Sequence, residues 1–414
     1  MRNFSRIGGI LPNRLQQLMD LQWHKIDSHI HLIASACYPF PSVLQALSEP
    51  SFVFPAEGMP GSRYLPGSAV MDDVETEGAE LALKLLRAPS EYCGSLQPHS
   101  GTQANQMVYH AALKPQDCVV ALHAKNGGHI SHTVLIGRAN KVHYFGLDPS
   151  GLPDYAELEI LANRVKPRLI IVGGSSLPRQ IDFHRCGEIA RQCGAYLHGD
   201  ISHTATFVAG GLHASPFPYC DFVTFNTVKN LRGPNGGVLI FRREHKEAIE
   251  RAIFPTSQGG ANETNMLGKF AAFSEWQTHD INVYASSIVA SAKIMAKELE
   301  SAGIPLVTNG TDSHILLVDL RASGQTGAEV ERRLESIGVL ANRNLVPNDT
   351  RSPLETSGIR IGTANLAILA YEEGDLRSLA QLVADAVLNR STDVDIVKAL
   401  LSKYNSDPLW CRTQ

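Results

Sequence analysis

The chain has 414 residues, with 37 basic and 41 acidic side chains and a formal net charge of −4 at pH 7. This near balance argues against general binding to nucleic acid or to anionic membrane surfaces. Apolar residues make up 43% and charged residues 19% of the chain, which excludes an intrinsically disordered protein. No apolar run in the sequence is long enough for a transmembrane helix.

The amino-terminal segment and the cysteines bear on the cellular compartment. Residues 1–25 lack the continuous apolar core of a secretory signal. The seven cysteines are odd in number and form no C-x-x-C pair, which argues against a disulfide framework or a zinc site. We therefore expect a cytoplasmic protein without a bound metal.

Short β-rich runs alternate with helical patterns through the middle of the chain. We predict strands at 117–123, 168–172, 195–198, 222–225 and 237–241, and helices at Tyr155–Val165 and Phe183–Cys193. Strands that alternate with helices pair in parallel through right-handed crossovers, and such sheets bind ligands beyond the carboxyl ends of their strands. The pattern thus predicts an α/β fold with a mostly parallel sheet.

A long helical pattern follows over 265–303, broken only near 279–280. The segments 304–320, 328–337 and 376–388 then indicate a second, smaller α/β unit. We predict an amino-terminal arm over 1–30, a large domain over 31–280 and a smaller carboxyl-terminal domain over 281–414.

Two side chains at predicted strand ends suggest a cofactor. Lys229 follows an apolar strand and precedes a Gly/Pro turn, where a desolvated amine has a lowered pKa and can form an imine with a carbonyl. Asp200 ends the strand AYLHGD, and a carboxylate there could keep a pyridine nitrogen protonated. The pair suggests pyridoxal phosphate, although a loop lysine and a helix N-cap are the ordinary alternatives for each residue alone.

Two further segments suggest sites for anions. Ser100, Gly101 and Thr102 open a predicted helix, where free N–H groups and the positive helix end favour a phosphate. Arg360 follows a turn in TSGIRIG, where a guanidinium could bind a substrate carboxylate through two hydrogen bonds. A plain helix cap and a structural ion pair remain the alternatives.

Together these segments resemble serine hydroxymethyltransferase, a pyridoxal-phosphate enzyme family of fold type I. The matching stretches run in order from about residue 30 to residue 365: LIASACYPFPSV, PAEGMPGSRY, QPHSGTQAN, NGGHISH, GAYLHGDISH, the Lys229 strand, GPNGG, FPTSQGG, VPND and TSGIRIG. The resemblance implies a large domain with a mostly parallel sheet and a smaller carboxyl-terminal α/β domain.

The resemblance also implies roles toward the cofactor. Lys229 would carry pyridoxal phosphate as an imine, and Asp200 would pair with the pyridine nitrogen. His129 would stack on the ring, and His203 would contact its phenolic oxygen. The residues implied for the phosphate and the rest of the pocket are Ser100, Gly101, Thr102, Ser176 and, from a neighbouring subunit, Gly259 and Gly260.

Toward the substrate, the resemblance implies that Arg360 and Ser35 bind the carboxylate. Glu57, with Tyr64 nearby, would come from the second subunit and act as the acid/base group. The activity implied is making or breaking the Cα–Cβ bond of a β-hydroxy-α-amino acid, as in serine/glycine or α-methylserine-type hydroxymethyl transfer. Shared sites would make a homodimer the smallest active unit, within a dimer or a tetramer.

Several positions depart from the family pattern. Pro55 and Leu65 stand where tyrosines are expected, Asn226 replaces a threonine, Val228 a histidine and Asn235 an arginine. Ala124 replaces a folate-contacting leucine, and the Thr-Arg-Arg-Gly turn after Arg360 is missing. The resemblance implies tetrahydrofolate as the one-carbon carrier, but these changes leave two interpretations open: a divergent hydroxymethyltransferase, or a folate-independent aldolase or transaldolase.

Two other functional classes compete with this interpretation. Asp27, His29 and His31 in IDSHIHL resemble the metal-binding opening of amidohydrolases, in which two histidines on one strand face bind a metal on a TIM barrel. A cofactor-binding scaffold without activity is the third class, and retention of Lys229 and Asp200 argues against it.

Overall fold

The computed structural model describes residues 12–50, 53–136 and 139–404. The helices are α1 (Asn13–Asp27), α2 (Pro41–Leu47), α3 (Ala69–Leu85), α4 (Gly101–Ala112), α5 (Tyr155–Val165), α6 (Phe183–Cys193), α7 (Ala205–Ala209), α8 (Lys246–Arg251), α9 (Glu263–Glu275), α10 (Ile281–Ser301), α11 (Gly327–Ser336), α12 (Ala364–Ile368), α13 (Glu373–Val387) and α14 (Val394–Tyr404). The strands are β1 (Ile30–His31), β2 (Gly58–Met59), β3 (Ser62–Arg63), β4 (Tyr92–Ser95), β5 (Cys118–Leu122), β6 (Lys141–Phe145), β7 (Leu169–Gly173), β8 (Tyr196–Asp200), β9 (Phe222–Asn226), β10 (Gly237–Arg242), β11 (Ile315–Asp319), β12 (Val339–Leu340), β13 (Asn342–Asn344) and β14 (Gly358–Gly362).

A seven-stranded sheet in the order β4-β10-β9-β8-β7-β5-β6 forms the centre of the large unit. Strands β6, β5, β7, β8 and β9 run parallel, whereas β10 is antiparallel to both of its neighbours. Because parallel strands share a direction, the carboxyl ends of β7, β8 and β9 meet at one edge of the sheet. Asp200 is the last residue of β8 and pairs with Thr224 of β9.

Both faces of this sheet are covered, which explains its nearly continuous apolar strands. In β5, Val120 and Leu122 face a core formed with α5 and α6, whereas Val119 and Ala121 face a core formed with α4. Alternation along the strand places successive side chains on opposite faces. Every residue of β7 is therefore buried.

The carboxyl-terminal part of the chain has its own sheet and core. Strands β11, β14 and β13 form an antiparallel three-stranded sheet, and its apolar residues pack with those of α10, α11 and α13. The amino-terminal strand β1 joins this part, because it pairs in parallel with β12.

Both predicted helices are present with the predicted ends, and the predicted strands are present with ends that differ by at most two residues. The helical pattern over 265–303 consists of α9 and α10, and the break near 279–280 lies between them. Parallel pairing is wrong for 237–241, because β10 follows β9 through a loop without a crossover helix. Strands β4 and β6 of the large sheet were not predicted; β4 contains a glycine, and β6 is buried only at its last residue. The domain limits at 30 and 280 stay predictions, and residues 1–11 of the arm lie outside the described residues.

Arg179 links the loop after β7 to the segment that precedes β11. Its Nη1 pairs with Asp312 Oδ1 at 2.7 Å, and its Nη2 donates to the carbonyl oxygens of Thr308 and Asn309 at 2.7 and 3.0 Å. It lies on the loop after β7 and borders a cleft of about 670 Å³ between the segment 147–152 and the carboxyl-terminal sheet.

The amidohydrolase alternative is wrong about the fold, since the large sheet is open rather than a barrel. His29 Nδ1 lies 3.1 Å from the carbonyl oxygen of Lys25, and His31 Nε2 lies 3.0 Å from that of Ile26. In the described ranges, the one group of side chains with metal-binding geometry includes neither histidine.

None of the helices described here combines the length and the apolar character needed to cross a bilayer.

Candidate active site

A cavity of about 120 Å³ lies at the carboxyl ends of β7, β8 and β9. It contains both residues that the sequence placed at strand ends, Asp200 and Lys229. The full lining is Gly101, Thr102, Asn105, His129, Gly174, Ser175, Asp200, Ser202, His203, Asn226 and Lys229. The fold thus brings five separate segments of the chain to one pocket.

Lys229 presents an amine with no fixed partner. Within the described part of the chain, no hydrogen bond or ion pair engages its Nζ. Burial lowers the pKa of Lys229 to about 8; the Asp200 carboxylate opposes this change and the Arg360 guanidinium adds to it. The amine therefore loses its proton far more readily than an ordinary lysine, and its neutral form can attack a carbonyl.

Asp200 is buried and held from three directions. Its Oδ2 accepts hydrogen bonds from Asn105 Nδ2 at 2.9 Å and from His132 Nε2 at 3.0 Å, and its Oδ1 accepts from the Ser202 N–H at 3.0 Å. Burial by itself raises the pKa of Asp200, but the hydrogen bond from His132 and the nearby positive charges hold it well below its usual range. The cavity therefore contains a permanent carboxylate.

Asn105 links the Asp200 carboxylate to Ser131 and Thr224 through hydrogen bonds. Its Nδ2 also donates to Ser131 Oγ at 3.0 Å, and its Oδ1 accepts from Thr224 Oγ1 at 2.5 Å. All of its polar groups are thereby satisfied in a buried position, which fixes Asp200 in place.

Two histidine rings border the cavity in the neutral form. Burial lowers the pKa of His129 to about 4 and that of His203 well below the usual value. The Ser131 N–H donates to Nδ1 of His129 at 3.2 Å, so the proton of the neutral ring is on Nε2. The His203 ring stacks on His314, with centroids 5.4 Å apart.

The amino terminus of α4 forms another end of the cavity. Ser100 caps the helix, since its Oγ accepts from the Gln103 N–H at 3.1 Å, and Gly101 and Thr102 line the cavity. A Cβ at Gly101 would lie 3.4 Å from Asn226 Cβ and 3.5 Å from Ser202 Oγ. The missing side chain leaves room for an anion at the free N–H groups of the helix.

Arg360 lies on β14 and reaches the loop after β7. Its Nη1 donates to the Ser175 carbonyl oxygen at 2.6 Å, and its Nε and Nη2 donate to Asn342 Oδ1 at 3.3 and 3.2 Å. Burial lowers the pKa of Arg360 to about 10, so it remains a cation at neutral pH.

Ser35 lies half-buried on the turn after β1. His314 Nε2 is 3.1 Å from the Ala34 carbonyl oxygen, and Asn365 accepts from the Tyr38 N–H at 3.0 Å and donates to the Ala36 carbonyl oxygen at 3.2 Å. These bonds fix the turn that carries Ser35.

Glu57, Tyr64, Gly259 and Gly260 form a separate cluster away from the cavity lining. Glu57 and Gly260 form an antiparallel bridge, and the Tyr64 N–H donates to the Glu57 carbonyl oxygen at 3.0 Å. Tyr64 is 72% exposed. Within one chain, these residues do not meet Lys229.

The loop after β7 carries both Ser175 and Ser176, and the role expected for Ser176 stays a prediction. Ser175 lines the cavity, whereas Ser176 is buried and directs its Oγ toward Gly127. The Ser175 N–H donates to the Gly127 carbonyl oxygen at 2.7 Å, which turns the loop so that successive side chains point in different directions.

Sequence reasoning missed three residues that hold the site: Asn105, His132 and Asn342. Two of them carried a signal. Asn105 lies one helical turn after Gly101, and His132 lies three residues after His129 in the segment NGGHISH. Asn342 had no such signal, because only the pairing of β13 with β14 brings it opposite Arg360.

These features fit pyridoxal phosphate. Lys229 offers a neutral amine for its aldehyde, Asp200 offers a carboxylate for its pyridine nitrogen, and Gly101 leaves a cradle at the start of α4 for its phosphate.

Comparison with known proteins agrees with this geometry. Residues 12–383 match the family model described as serine hydroxymethyltransferase. A serine hydroxymethyltransferase of Bordetella avium is 40% identical over 382 residues, which cover 92% of this chain and 91% of that protein. Serine hydroxymethyltransferase 1 of Ralstonia nicotianae is 39% identical over 373 residues, 89% of each chain. The chain therefore belongs to the serine hydroxymethyltransferase family, whose members are pyridoxal-phosphate enzymes of fold type I.

Proposed function

We propose that the protein is a hydroxymethyltransferase that makes or breaks the Cα–Cβ bond of a β-hydroxy-α-amino acid, with serine and glycine as the reactant pair. The observation that carries this proposal is the unbonded Lys229 amine beside the Asp200 carboxylate, in a chain of this family. When bound, pyridoxal phosphate supplies a ring that accepts electrons from the substrate's Cα. Asp200 would hold the ring nitrogen in its protonated form, and His129, which also lines the cavity, would lie against the ring.

Arg360 is suited to bind the substrate carboxylate. An arginine has five N–H donors, of which Asn342 and Ser175 engage three. One N–H remains on each terminal nitrogen, and this pair matches the two oxygens of a carboxylate. Together with Ser35, Arg360 would bind the carboxylate and so orient the amino acid in the cavity.

Proton transfer at the substrate hydroxyl is assigned to Glu57 of a second copy of the chain. Glu57, Gly259 and Gly260 do not line the cavity of their own chain. The surface beside them exposes apolar residues, including Phe54 at 57% and Tyr64 at 72%. A homodimer that covers this surface would bring it to the second cavity and bury the apolar residues.

Replacement of Lys229 tests the cofactor assignment. The wild-type protein mixed with pyridoxal phosphate should absorb in the visible range, and borohydride reduction should fix the cofactor covalently on Lys229, as read by peptide mass. Lys229→Ala should lose the absorbance and the turnover. A wild-type protein that stays colourless with added pyridoxal phosphate would contradict the proposal.

A substrate screen with and without tetrahydrofolate tests the reaction. Serine cleavage that requires tetrahydrofolate supports hydroxymethyl transfer from serine, and the same requirement with α-methylserine identifies the α-methyl amino acid as the substrate. Cleavage of threonine without folate would instead identify the protein as the aldolase alternative. The departures at Asn226, Val228 and Asn235 are the reason for including this test.

We also propose that the protein is cytoplasmic. The six cysteines in the described ranges are all free thiols, which suits a reducing compartment. Alkylation of the protein in cells before lysis tests this, since a secreted protein would show oxidised thiols.

A further inference from the structure

Three of the positions that depart from the family pattern lie together in the structure. Asn226 Oδ1 accepts a hydrogen bond from the Val228 N–H at 3.0 Å, and Asn226 Nδ2 donates to Asn235 Oδ1 at 3.2 Å. Asn235 is fixed in turn, because its carbonyl oxygen accepts from Asn265 Nδ2 at 2.9 Å. Residues that differ from the family at separate places in the sequence thus form one connected unit.

These bonds set the orientation of the Asn226 amide. The Val228 N–H can only donate, so the group that it contacts must be the amide oxygen. The amide nitrogen therefore lies on the other side, and one of its two N–H groups is taken by Asn235. The second N–H remains on a residue that lines the cavity.

Asn226, the last residue of β9, lies beside the start of α4. Its Nδ2 would be 3.8 Å and its Cβ 3.4 Å from a Cβ placed on Gly101. Ser202 lies at the same place, with its Oγ 3.5 Å from that position. Its backbone N–H is bonded to Asp200, which fixes the residue beside the cavity. Two neutral side-chain donors therefore border the space that Gly101 leaves open.

We infer that Asn226 and Ser202 bind the phosphate of pyridoxal phosphate, and that this chain holds the phosphate with neutral donors. The side chains of this wall at Asn226, Val228 and Asn235 carry no charge. An amide N–H and a hydroxyl added to the free N–H groups of α4 supply hydrogen bonds to an anion without a full positive charge. This inference rests on the proposed function.

The test compares two ligands that differ only in the phosphate, pyridoxal phosphate and pyridoxal. The binding of each to the apoprotein is measured by absorbance titration for the wild type, Asn226→Asp and Ser202→Ala. Asn226→Asp should weaken pyridoxal phosphate by about tenfold or more, because it replaces a donor by a like charge, and Ser202→Ala by about threefold. Pyridoxal should bind each variant within about twofold of the wild type, which also shows that the pocket is folded. Asn163→Asp, on the exposed face of α5, is the matched control for an added negative charge and should change neither affinity.

Equal affinity of the wild type and Asn226→Asp for pyridoxal phosphate would overturn the inference, and so would an equal loss for both ligands. Failure of the proposed function gives a different result, because a wild-type protein that is not a pyridoxal-phosphate enzyme would bind neither ligand at Lys229.

Discussion

At the scale of single residues, Asn342 fixes the orientation of the Arg360 guanidinium through two hydrogen bonds to one oxygen. We expect Asn342→Ala to raise the KM for the amino acid about tenfold while kcat changes little, because a hydrogen bond to a charged group contributes about 1.5–3 kcal/mol. Steady-state kinetics measure both parameters. Gln381→Ala, on the exposed side of α13, should leave KM unchanged, and a loss confined to kcat would contradict the role of Asn342.

The lowered pKa of Lys229 predicts a pH dependence for cofactor uptake. Only the neutral amine attacks the aldehyde, so the rate of uptake should rise with pH through about 8 and level off above it. The positive charge of Arg360 helps to lower this pKa, so Arg360→Gln should shift the profile to higher pH. Stopped-flow absorbance over a pH series measures the shift. A profile that moves to lower pH would contradict this electrostatic account.

The sequence predicted the positions of Lys229 and Asp200 better than it predicted the residues that hold them in place. Lys229 and Asp200 could be found because each follows an apolar strand, and the ends of parallel strands share an edge. The support of Asp200 by Asn105 joins residues 95 positions apart, and a separation of that kind is set by packing rather than by local pattern. The sequence also could not show which loop serine lines the cavity, because a single turn of backbone decides whether Ser175 or Ser176 reaches it.

At the scale of elements, the hairpin of β2 and β3 carries the segment around Glu57 and is anchored to α3 by Arg63. The Arg63 side chain is buried with Glu75 at 2.8 Å and also pairs with Asp72 at 2.7 Å. Its Nη1 donates to the carbonyl oxygens of Ala56 and Gly58. We expect Arg63→Met to lower the free energy of unfolding by about 3–5 kcal/mol, because Glu75 is left buried without its cation.

Denaturant unfolding measures this loss. The double variant Arg63→Met with Glu75→Gln should regain part of the stability, since the buried charge is gone as well. The exposed pair of Lys25 and Glu335 is the matched control, and Lys25→Met should cost at most about 1 kcal/mol. Equal effects at the buried and the exposed pair would contradict this account.

Elements with strong apolar patterns were predictable, and weakly patterned ones were not. Helices α5 and α6 have the predicted ends, whereas the polar edge strand β6 gave no signal. The segment after Arg360 shows a further difference. This chain forms the short helix α12 there and buries Ile368 and Leu369 in the carboxyl-terminal core.

At the scale of the whole molecule, the separation of Glu57 from Lys229 predicts complementation between chains. Lys229→Ala and Glu57→Gln should each be inactive alone. In a mixed dimer, one site combines the intact Lys229 of one chain with the intact Glu57 of the other. Random reassortment should therefore restore up to about one quarter of the wild-type activity, since half of the dimers are mixed and each has one intact site. Mixing after mild dissociation, followed by an activity assay, tests this. No recovery despite proven exchange of chains would contradict a shared site.

Arg179 is one of two attachments between the loop after β7 and the carboxyl-terminal part of the chain. The loop after β7 carries Ser175 at one end, bonded to Arg360, and Arg179 near the other end, bonded to the segment 308–312. Arg360 and that segment both belong to the carboxyl-terminal part of the chain, so the loop is attached to it at two points. Any displacement of that part relative to the large sheet must therefore either take the loop along or break both attachments at once.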